Sequence, residues 1–324
     1  MAAEIVGGTS RPRTRSAAVS IKRIVASTSS QEVASTSSRK KAKTAWTDQL
    51  QRFEDMTPEQ RAEALGSDKG FCVAEDISLE DFHKKCDEIE KGESEQAGIR
   101  WCFRMEFRKG KAWIYELPHA AHDRAAAEVI KRITMGMGAH ADDVIMASSP
   151  RCDDNNGVNS FGPDGSVSEK FQRPGPGQPG AADATGNRFP NFIVEVAYDE
   201  SAPHARRKAI AWLNASNNPN FAVQQVIVIK IGPPRVTRGN SRRMEAWRYE
   251  QAAPPAVNDY NNFAQHFDFG VPMNGPGLGV TAANQMVIQI PTASFYQPAN
   301  VPGGMQASID VDLFSIRDVI ERST

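Results

Sequence analysis

The sequence contains two carboxylates and one lysine whose residue types suit the hydrolysis of a phosphodiester bond. They lie far apart in the chain. Asp164 lies in the short segment GPDGSV, Glu195 interrupts the strand-like run FIVEVA, and Lys208 follows in a helical pattern. Two carboxylates can hold a hard divalent cation such as Mg²⁺, because this ion prefers oxygen ligands. Such an ion can lower the pKa of a bound water and offset charge on a phosphoryl oxygen. A nearby lysine can orient that water or stabilise developing negative charge.

Glu195 is the unusual member of this set, because a charged side chain inside a strand is costly unless it is paired or binds a metal. Alternation along residues 192–197 places it on the face that it shares with Ile193 and Ala197. Two structural explanations stay open beside the catalytic one. Glu195 could face solvent on an edge strand, or it could pair with a nearby arginine such as Arg206.

The elements that would position these residues follow from the hydrophobic periodicity. The sequence predicts a helix capped by Thr57, a helix that starts at Ser78, and a β-hairpin that turns at Lys109-Gly110. An apolar stripe in AAHDRAAAEVIKRI predicts a helix packed on a sheet. Short strands at DDVIMAS and GPDGSV, the strand FIVEVA, the helix SAPHARRKAIAWL and the strand VQQVIVIKI follow. The order hairpin, helix, strand, strand, helix, strand predicts an α/β core with helices on a mixed sheet.

Three other segments are less regular. Residues 1–45 carry nine Lys or Arg and two Glu without any aromatic residue, which predicts a disordered basic arm. A basic arm on an acidic body indicates a partner such as nucleic acid, a carrier receptor or an anionic surface. A flexible loop rich in Gly and Pro is predicted between Glu169 and Asn187. Residues 235–285 are predicted to hold few strong elements, before strands and a short helix close the chain.

The cellular compartment can be inferred from the cysteines and from the lack of long apolar segments. The four cysteines are widely spaced and form no CxxC pair, which favours free thiols in a reducing compartment. The sequence contains no run of about eighteen apolar residues, so no membrane span is predicted. The N-terminus lacks the apolar stretch of a secretory signal. We therefore expect an intracellular protein, nuclear or cytoplasmic, without a membrane partner. The run SRKKAK at 38–43 is either a nuclear-import signal or a solvated linker.

The run RVTRGNSRRMEAWR, residues 235–248, holds five arginines against one glutamate. Arg242, Arg243 and Trp247 would suit phosphate contacts and base stacking, and they are our candidates for nucleic-acid binding. A solvated surface turn is the alternative interpretation of this run.

Four runs, in their order along the chain, carry a resemblance to a known family. They are RMEFRKGKAWIYELPHAAHDRAAAEVI, GPDGSV, FPNFIVEVAYDESAPHARRKAIAWL and VIVIKI. Together they resemble the putative restriction endonuclease domain family of the PD-(D/E)XK nuclease superfamily, over about residues 100–232. The positions that match the family pattern are Glu106, Gly110, Pro118, His122, Pro163, Asp164, Pro190, Glu195, Val196 and Lys208.

The resemblance implies a restriction-endonuclease-like core, in which a mixed sheet is flanked by helices, and Mg²⁺ or Mn²⁺ as the cofactor. It implies that Asp164 and Glu195 bind the metal, and that Lys208, carried on a helix instead of the strand, is the active-site lysine. Glu106 would be a supporting acid that orients a metal or a water. His122 matches a recurrent position at a helix start, where a structural or capping role is favoured.

The sequence departs from the family pattern at two positions after the glutamate. Ala197 stands where the superfamily has its lysine, so the catalytic lysine would be Lys208. Arg206 and Arg207, in the same helical segment, are alternatives. Tyr198 stands where the family usually has serine. These departures keep a catalytically inactive domain open as an interpretation.

The predicted function is a metal-dependent nuclease that acts on DNA, with a homodimer as one expected state. The alternative is an inactive nuclease-fold domain that binds nucleic acid or a protein. The first interpretation requires the carboxylates of Asp164 and Glu195 to lie within about 6 Å of each other, with Lys208 pointing at the same space. The regions predicted are a disordered basic arm (1–45), a helical segment (46–99), a nuclease-like core (100–232) and an irregular extension (233–324).

Overall fold

The structure is a computed structural model that describes most of the chain from residue 46 onwards. The described residues are 46–67, 70–90, 104–117, 119–147, 152–154, 159–170, 189–216, 222–235, 241–251, 259–271, 279–297 and 300–323. The predicted basic arm and nearly all of the predicted Gly- and Pro-rich loop lie outside the described residues.

The helices begin and end close to where the sequence predicted them. The capping box at Thr57 is present, since its hydroxyl accepts from the backbone N–H of Gln60, whose side chain accepts from the backbone of Thr57. The α-helices are α1 (46–54), α2 (Pro58–Gly66), α3 (Leu79–Glu90), α4 (Ala120–Met137), α5 (Ala202–Leu213), α6 (Ala293–Tyr296) and α7 (Leu313–Glu321). A 3₁₀ helix (Gly138–Asp143) directly follows α4.

The strands form three sheets. They are β1 (Phe71–Ala74), β2 (Arg104–Arg108), β3 (Lys111–Glu116), β4 (Val144–Ala147), β5 (Cys152–Asp153), β6 (Asn159–Phe161), β7 (Gly165–Glu169), β8 (Phe192–Ala197), β9 (Gln225–Ile231), β10 (Met244–Glu250), β11 (Gln265–Asp268), β12 (Val287–Pro291) and β13 (Ser308–Asp312).

Six strands form the sheet that carries the candidate site, in the order β11-β10-β9-β8-β7-β4. β8 and β9 are parallel, whereas the other neighbours pair antiparallel, so the sheet is mixed. A parallel pair needs a crossover connection, and α5 supplies it between β8 and β9.

Two hydrophobic cores lie on the two faces of this sheet. One joins Phe192, Val194 and Val196 of β8 to α4 and α7, and the other joins Ile193 and Ala197 to α5. β8 is therefore apolar on both faces because helices cover both, as in a strand at the centre of an α/β sheet. The predicted α/β core with a mixed sheet flanked by helices is confirmed.

A second sheet, in the order β1-β3-β2-β6-β5, packs with α1, α2 and α3 around a third core. β2 and β3 form the predicted hairpin, and its turn residues Lys109 and Gly110 have φ values of 49° and 77°. A two-residue type I′ turn needs positive φ at both positions, which glycine adopts without strain. The hairpin matters for the site because β2 carries Arg104 and Glu106.

The C-terminal part is more regular than the sequence predicted. β10 and β11 extend the central sheet, so the interpretation of residues 235–248 as a surface turn is wrong from Met244 onwards. The strand was hidden because MEAWRYE places charged residues on both faces. β12 and β13 form a separate two-stranded sheet, and apolar side chains of β13 and α7 join α4 in the first core.

Candidate active site

The position of β8 in the sheet decides where the Glu195 carboxylate lies. β8 has β7 on one side and β9 on the other, so it is not an edge strand. The alternation of side chains along β8 turns Glu195 towards α5, and Glu195 is 1% exposed. The explanation of Glu195 as a solvent-facing residue on an edge is therefore wrong.

Both oxygens of the Glu195 carboxylate accept hydrogen bonds from α5. Lys208 Nζ donates to Oε2 at 2.6 Å, and Trp212 Nε1 donates to Oε1 at 2.5 Å. The two donors are four residues apart, and residues at this spacing lie on one face of a helix. Arg206, the partner considered from the sequence, instead donates to the Tyr249 hydroxyl and the Tyr260 carbonyl.

Asp164 lies directly beside Glu195 at the start of β7. Its backbone N–H donates to the carbonyl of Val194 at 3.0 Å, and its Oδ2 accepts from the N–H of Val196 at 2.6 Å. Asp164 therefore bonds to both chain neighbours of Glu195. The structure brings together the three side chains of the predicted catalytic set, Asp164, Glu195 and Lys208.

Two cationic side chains from other elements reach Asp164. Arg104 Nη1 on β2 lies 2.5 Å from Oδ1, and His122 Nε2 on α4 lies 3.2 Å from Oδ2. His122 does not cap α4, because His119 is the N-cap residue and makes no side-chain cap bond. His122 is fully buried and bonds through Nδ1 to Asp123, at 3.0 Å.

Opposing charges set the protonation states of this cluster. Burial raises the pKa of Glu195 to about 7, against the lowering effect of Lys208. Burial would also raise the pKa of Asp164, but the charges of His122 and Arg104 outweigh it and lower the value to about 2. The carboxylates hold the pKa of Lys208 well above its usual value despite its burial. Near neutral pH, Glu195 can therefore exchange a proton while Asp164 stays ionised.

Glu106 belongs to a neighbouring cluster. Its Oε1 lies 3.0 Å from His204 Nε2 and 2.7 Å from Arg108 Nε. His204 Nδ1 in turn lies 2.7 Å from Glu200. Burial opposes ionisation of Glu106, but His204 and Arg108 lower its pKa to about 2, and Lys208 adds to this effect. Glu106 is thus electrostatically coupled to the first cluster through Lys208.

The loop between β8 and α5 is held by the buried Glu116 and by the half-buried Lys230. Glu116 accepts from the N–H groups of Tyr198, Asp199 and Glu200 at 2.9, 3.0 and 3.3 Å. Lys230 Nζ donates to the carbonyls of Tyr198 and Glu200, both at 2.6 Å. Because this loop joins the strand of Glu195 to the helix of Lys208, the two contacts fix the spacing of the pair.

The three predicted nucleic-acid-binding residues are not equally accessible. Arg242 is 3% exposed and donates to the Tyr198 hydroxyl and the Gly232 carbonyl. Trp247 is also 3% exposed, and the Arg206 guanidinium lies 4.9 Å from its ring centre. Arg243 has a partly exposed side chain, which pairs with Glu245 at 2.9 Å. Their binding role stays a prediction, and Arg243 is the member that reaches solvent.

Sequence reasoning missed several side chains that complete the site. Trp212 could have been found from its spacing of four residues after Lys208, and Arg104 from its place two residues before Glu106 on the same strand. Glu116 and His204 carry no local signal, because their partners are about 80 to 100 positions away in the chain. Only the folded topology brings those residues together.

The carboxylate pair is of the right chemistry for Mg²⁺ or Mn²⁺, which prefer oxygen ligands. Arg104 pairs with Asp164 Oδ1 without the geometry of a hydrogen bond, and Lys208 holds Glu195 Oε2. A divalent ion would replace these cations, and Asp164 and Glu195 are the residues that would hold it. The described residues contain no ready-made cluster of three or more His, Cys, Asp or Glu side chains for a metal.

Comparisons with known proteins add a weak similarity to a solved structure. No family model matches the chain, and no curated protein matches it. One similar solved chain is described as "a putative nuclease belonging to DUF820" from Anabaena variabilis ATCC 29413, with a TM-score of 0.39 and 14% sequence identity. The alignment covers 67% of this chain and 90% of that chain. A TM-score of this size does not establish a common fold, so the function proposed below rests on the side chains.

None of the helices in the described ranges combines the length and the apolar composition that crossing a bilayer requires.

Replacing Lys208 by methionine should leave Glu195 buried without its cation, which raises its pKa further, so that the folded protein has to take up a proton there at pH 8. Removing one partner of a buried ion pair typically costs about 3–5 kcal/mol, so we expect Lys208→Met to lower the free energy of unfolding by that amount at pH 8. Urea denaturation measures it. The double variant Lys208→Met/Glu195→Gln should recover part of the loss, because the amide is neutral without taking up a proton. Equal losses in the single and the double variant would contradict the pairing.

The buried His204 pair should make stability depend on pH. Burial lowers the pKa of His204, but Glu106 and Glu200 outweigh it and raise the pKa to about 9. A raised folded-state pKa gives stability that is complete below the unfolded value of about 6.5 and is lost as the pH rises towards 9. The difference in unfolding free energy between the wild type and His204→Gln should therefore shrink between pH 6.5 and 9. His140→Gln, at a partly exposed His–Asp pair, is the control, and a constant difference for His204→Gln would refute the linkage.

Proposed function

We propose that this chain is a metal-dependent nuclease that hydrolyses phosphodiester bonds, with DNA as its substrate. The observation that carries the proposal is the meeting of Asp164, Glu195 and Lys208, from three separate segments, at the centre of a mixed sheet. Structural ion pairs also gather buried charges, but this set combines two adjacent carboxylates with a lysine in the order that the family resemblance implies.

Asp164 and Glu195 would hold Mg²⁺ or Mn²⁺. When bound, the ion supplies positive charge that lowers the pKa of a water and offsets charge on the phosphoryl oxygens. Trp212 keeps one oxygen of Glu195 fixed, so the other oxygen is the one that can change its partner. Lys208 would move from Glu195 to the attacking water and orient it. The ring of Tyr115, 4.2 Å from Lys208 Nζ, would remain a partner of the ammonium as it moves.

Arg104 marks the side from which a phosphate can approach. Its side chain is 21% exposed, whereas the side chains of Asp164, Glu195 and Lys208 are 2%, 1% and 4% exposed. An arginine that leaves Asp164 for a substrate phosphate keeps its charge paired, because guanidinium groups bind phosphate oxygens as well as carboxylates. Arg104 would thus exchange partners as the metal enters.

One observation favours a second function, an inactive nuclease-fold domain that binds nucleic acid or a protein. The chain itself supplies a partner to each oxygen of Asp164 and Glu195, so the cluster is neutralised without any ion. A cluster of this kind can persist as a purely structural network. The two functions differ in whether the pair Lys208–Glu195 opens when a divalent ion is present.

Cleavage assays separate the two functions. The wild type should cut plasmid or single-stranded DNA in the presence of Mg²⁺ and stop in the presence of a chelator. Glu195→Gln should lose activity by about 100-fold or more, which corresponds to about 2.7 kcal/mol of barrier. Glu128→Gln is the matched control, because Glu128 is another buried carboxylate, paired with Lys131 and Arg132 on α4.

Cleavage that survives both Glu195→Gln and Asp164→Asn would reject this site as the active site. A folded wild type that binds DNA but cuts no nucleic acid would favour the second function instead.

A further inference from the structure

A stack of side chains stands at the rim of the candidate active site. The His119 ring is stacked on the Tyr198 ring, with 4.1 Å between ring centroids and 26° between planes. The Arg242 guanidinium also lies over Tyr198, 5.2 Å from its centroid, and donates to the hydroxyl at 2.9 Å. His119 and Arg242 therefore both contact Tyr198, and we call these three side chains the rim stack.

The rim stack is rigidly connected to the catalytic set. Tyr198 lies in the loop that Glu116 and Lys230 hold by its backbone, three residues after Glu195. His119 is the N-cap residue of α4 and precedes His122, which contacts Asp164, by three residues. The Tyr198 ring is thus three residues along the chain from Glu195, and the His119 ring is three residues from the histidine that contacts Asp164.

Beside the half-buried Tyr198, His119 reaches solvent from the rim stack. Its side chain is 38% exposed, whereas Arg242 is almost completely buried. Its Nε2 bonds to the Asp199 carboxylate at 3.0 Å, which fixes the orientation of the ring, and this bond is the largest contribution that raises the pKa of His119. The outcome is an aromatic ring that is held in one orientation and reaches the solvent.

We propose that His119 is a base-stacking residue that holds an unpaired nucleotide of the substrate strand beside the active site. This inference rests on the proposed nuclease function. Nucleobases stack on aromatic side chains whatever their sequence, so the contact would position the strand without selecting it. The Asp199 bond and the Tyr198 stack mean that the ring is already ordered, and binding needs little further ordering of this side chain.

A second His–Asp pair in the chain offers a matched control. His140 Nδ1 lies 2.9 Å from Asp143, and its side chain is 31% exposed. The two pairs lie at opposite ends of α4, which has 18 residues and is therefore about 27 Å long. His140 matches His119 in residue type, partner and exposure, but it stands away from the candidate site.

The test measures binding of a fluorescein-labelled single-stranded DNA oligonucleotide by anisotropy, with Ca²⁺ in place of Mg²⁺. His119→Ala should weaken binding about tenfold, as expected for the loss of one base–aromatic stack, while His119→Phe stays within about threefold of the wild type. His140→Ala should not change the affinity. An oligonucleotide of the same length built from abasic nucleotides should bind the wild type and His119→Ala equally well. The thermal unfolding midpoint checks that each variant is folded.

Two results would overturn the inference while the nuclease function stands. The first is a wild type that cleaves DNA together with a His119→Ala variant that binds within about twofold of it. The second is a His119→Phe variant that loses as much affinity as His119→Ala, since a phenyl ring keeps the stacking surface. A wild type that neither binds nor cleaves DNA would overturn the proposed function and this inference with it.

Discussion

A carboxylate buried at the centre of a sheet must be given partners, and Glu195 imposes this constraint on the rest of the fold. Its two oxygens are bound by Lys208 and Trp212, so α5 has to cross the sheet with one particular face towards β8. The loop that makes this crossing possible has its amide groups bound by Glu116 and its carbonyls by Lys230. Much of the buried charge in this part of the chain thus serves to hold one acidic side chain in one place.

The same contacts give the site its chemical character. Asp164 and Glu195 are neighbours, yet their pKa values move in opposite directions because Asp164 has two cations close by and Glu195 is dominated by burial. The resting cluster is closed by ion pairs, and catalysis would exchange them for a metal and a phosphate. In such a site, the ion pairs that stabilise the core are the same ones that must open for turnover.

Local sequence patterns were sufficient for most of the elements, and the resemblance named three side chains, Asp164, Glu195 and Lys208, that the fold brings together. Alternation in FIVEVA correctly predicted which face of β8 carries Glu195, and turn chemistry predicted the hairpin at Lys109-Gly110. The partners of these residues were harder to predict, because Arg104 and His122 reach Asp164 only through tertiary packing. β10 was missed for a different reason, since its charged residues on both faces conceal the strand period.

The most direct measurement is the crystallographic position of Mn²⁺, located by its anomalous signal in crystals of the full chain. A nuclease site predicts one ion bound to oxygens of both Asp164 and Glu195, with Lys208 Nζ moved away from Glu195 Oε2. Full occupancy elsewhere on the chain, with the Lys208–Glu195 and Arg104–Asp164 pairs intact at saturating Mn²⁺, would contradict it and leave this cluster as a structural network.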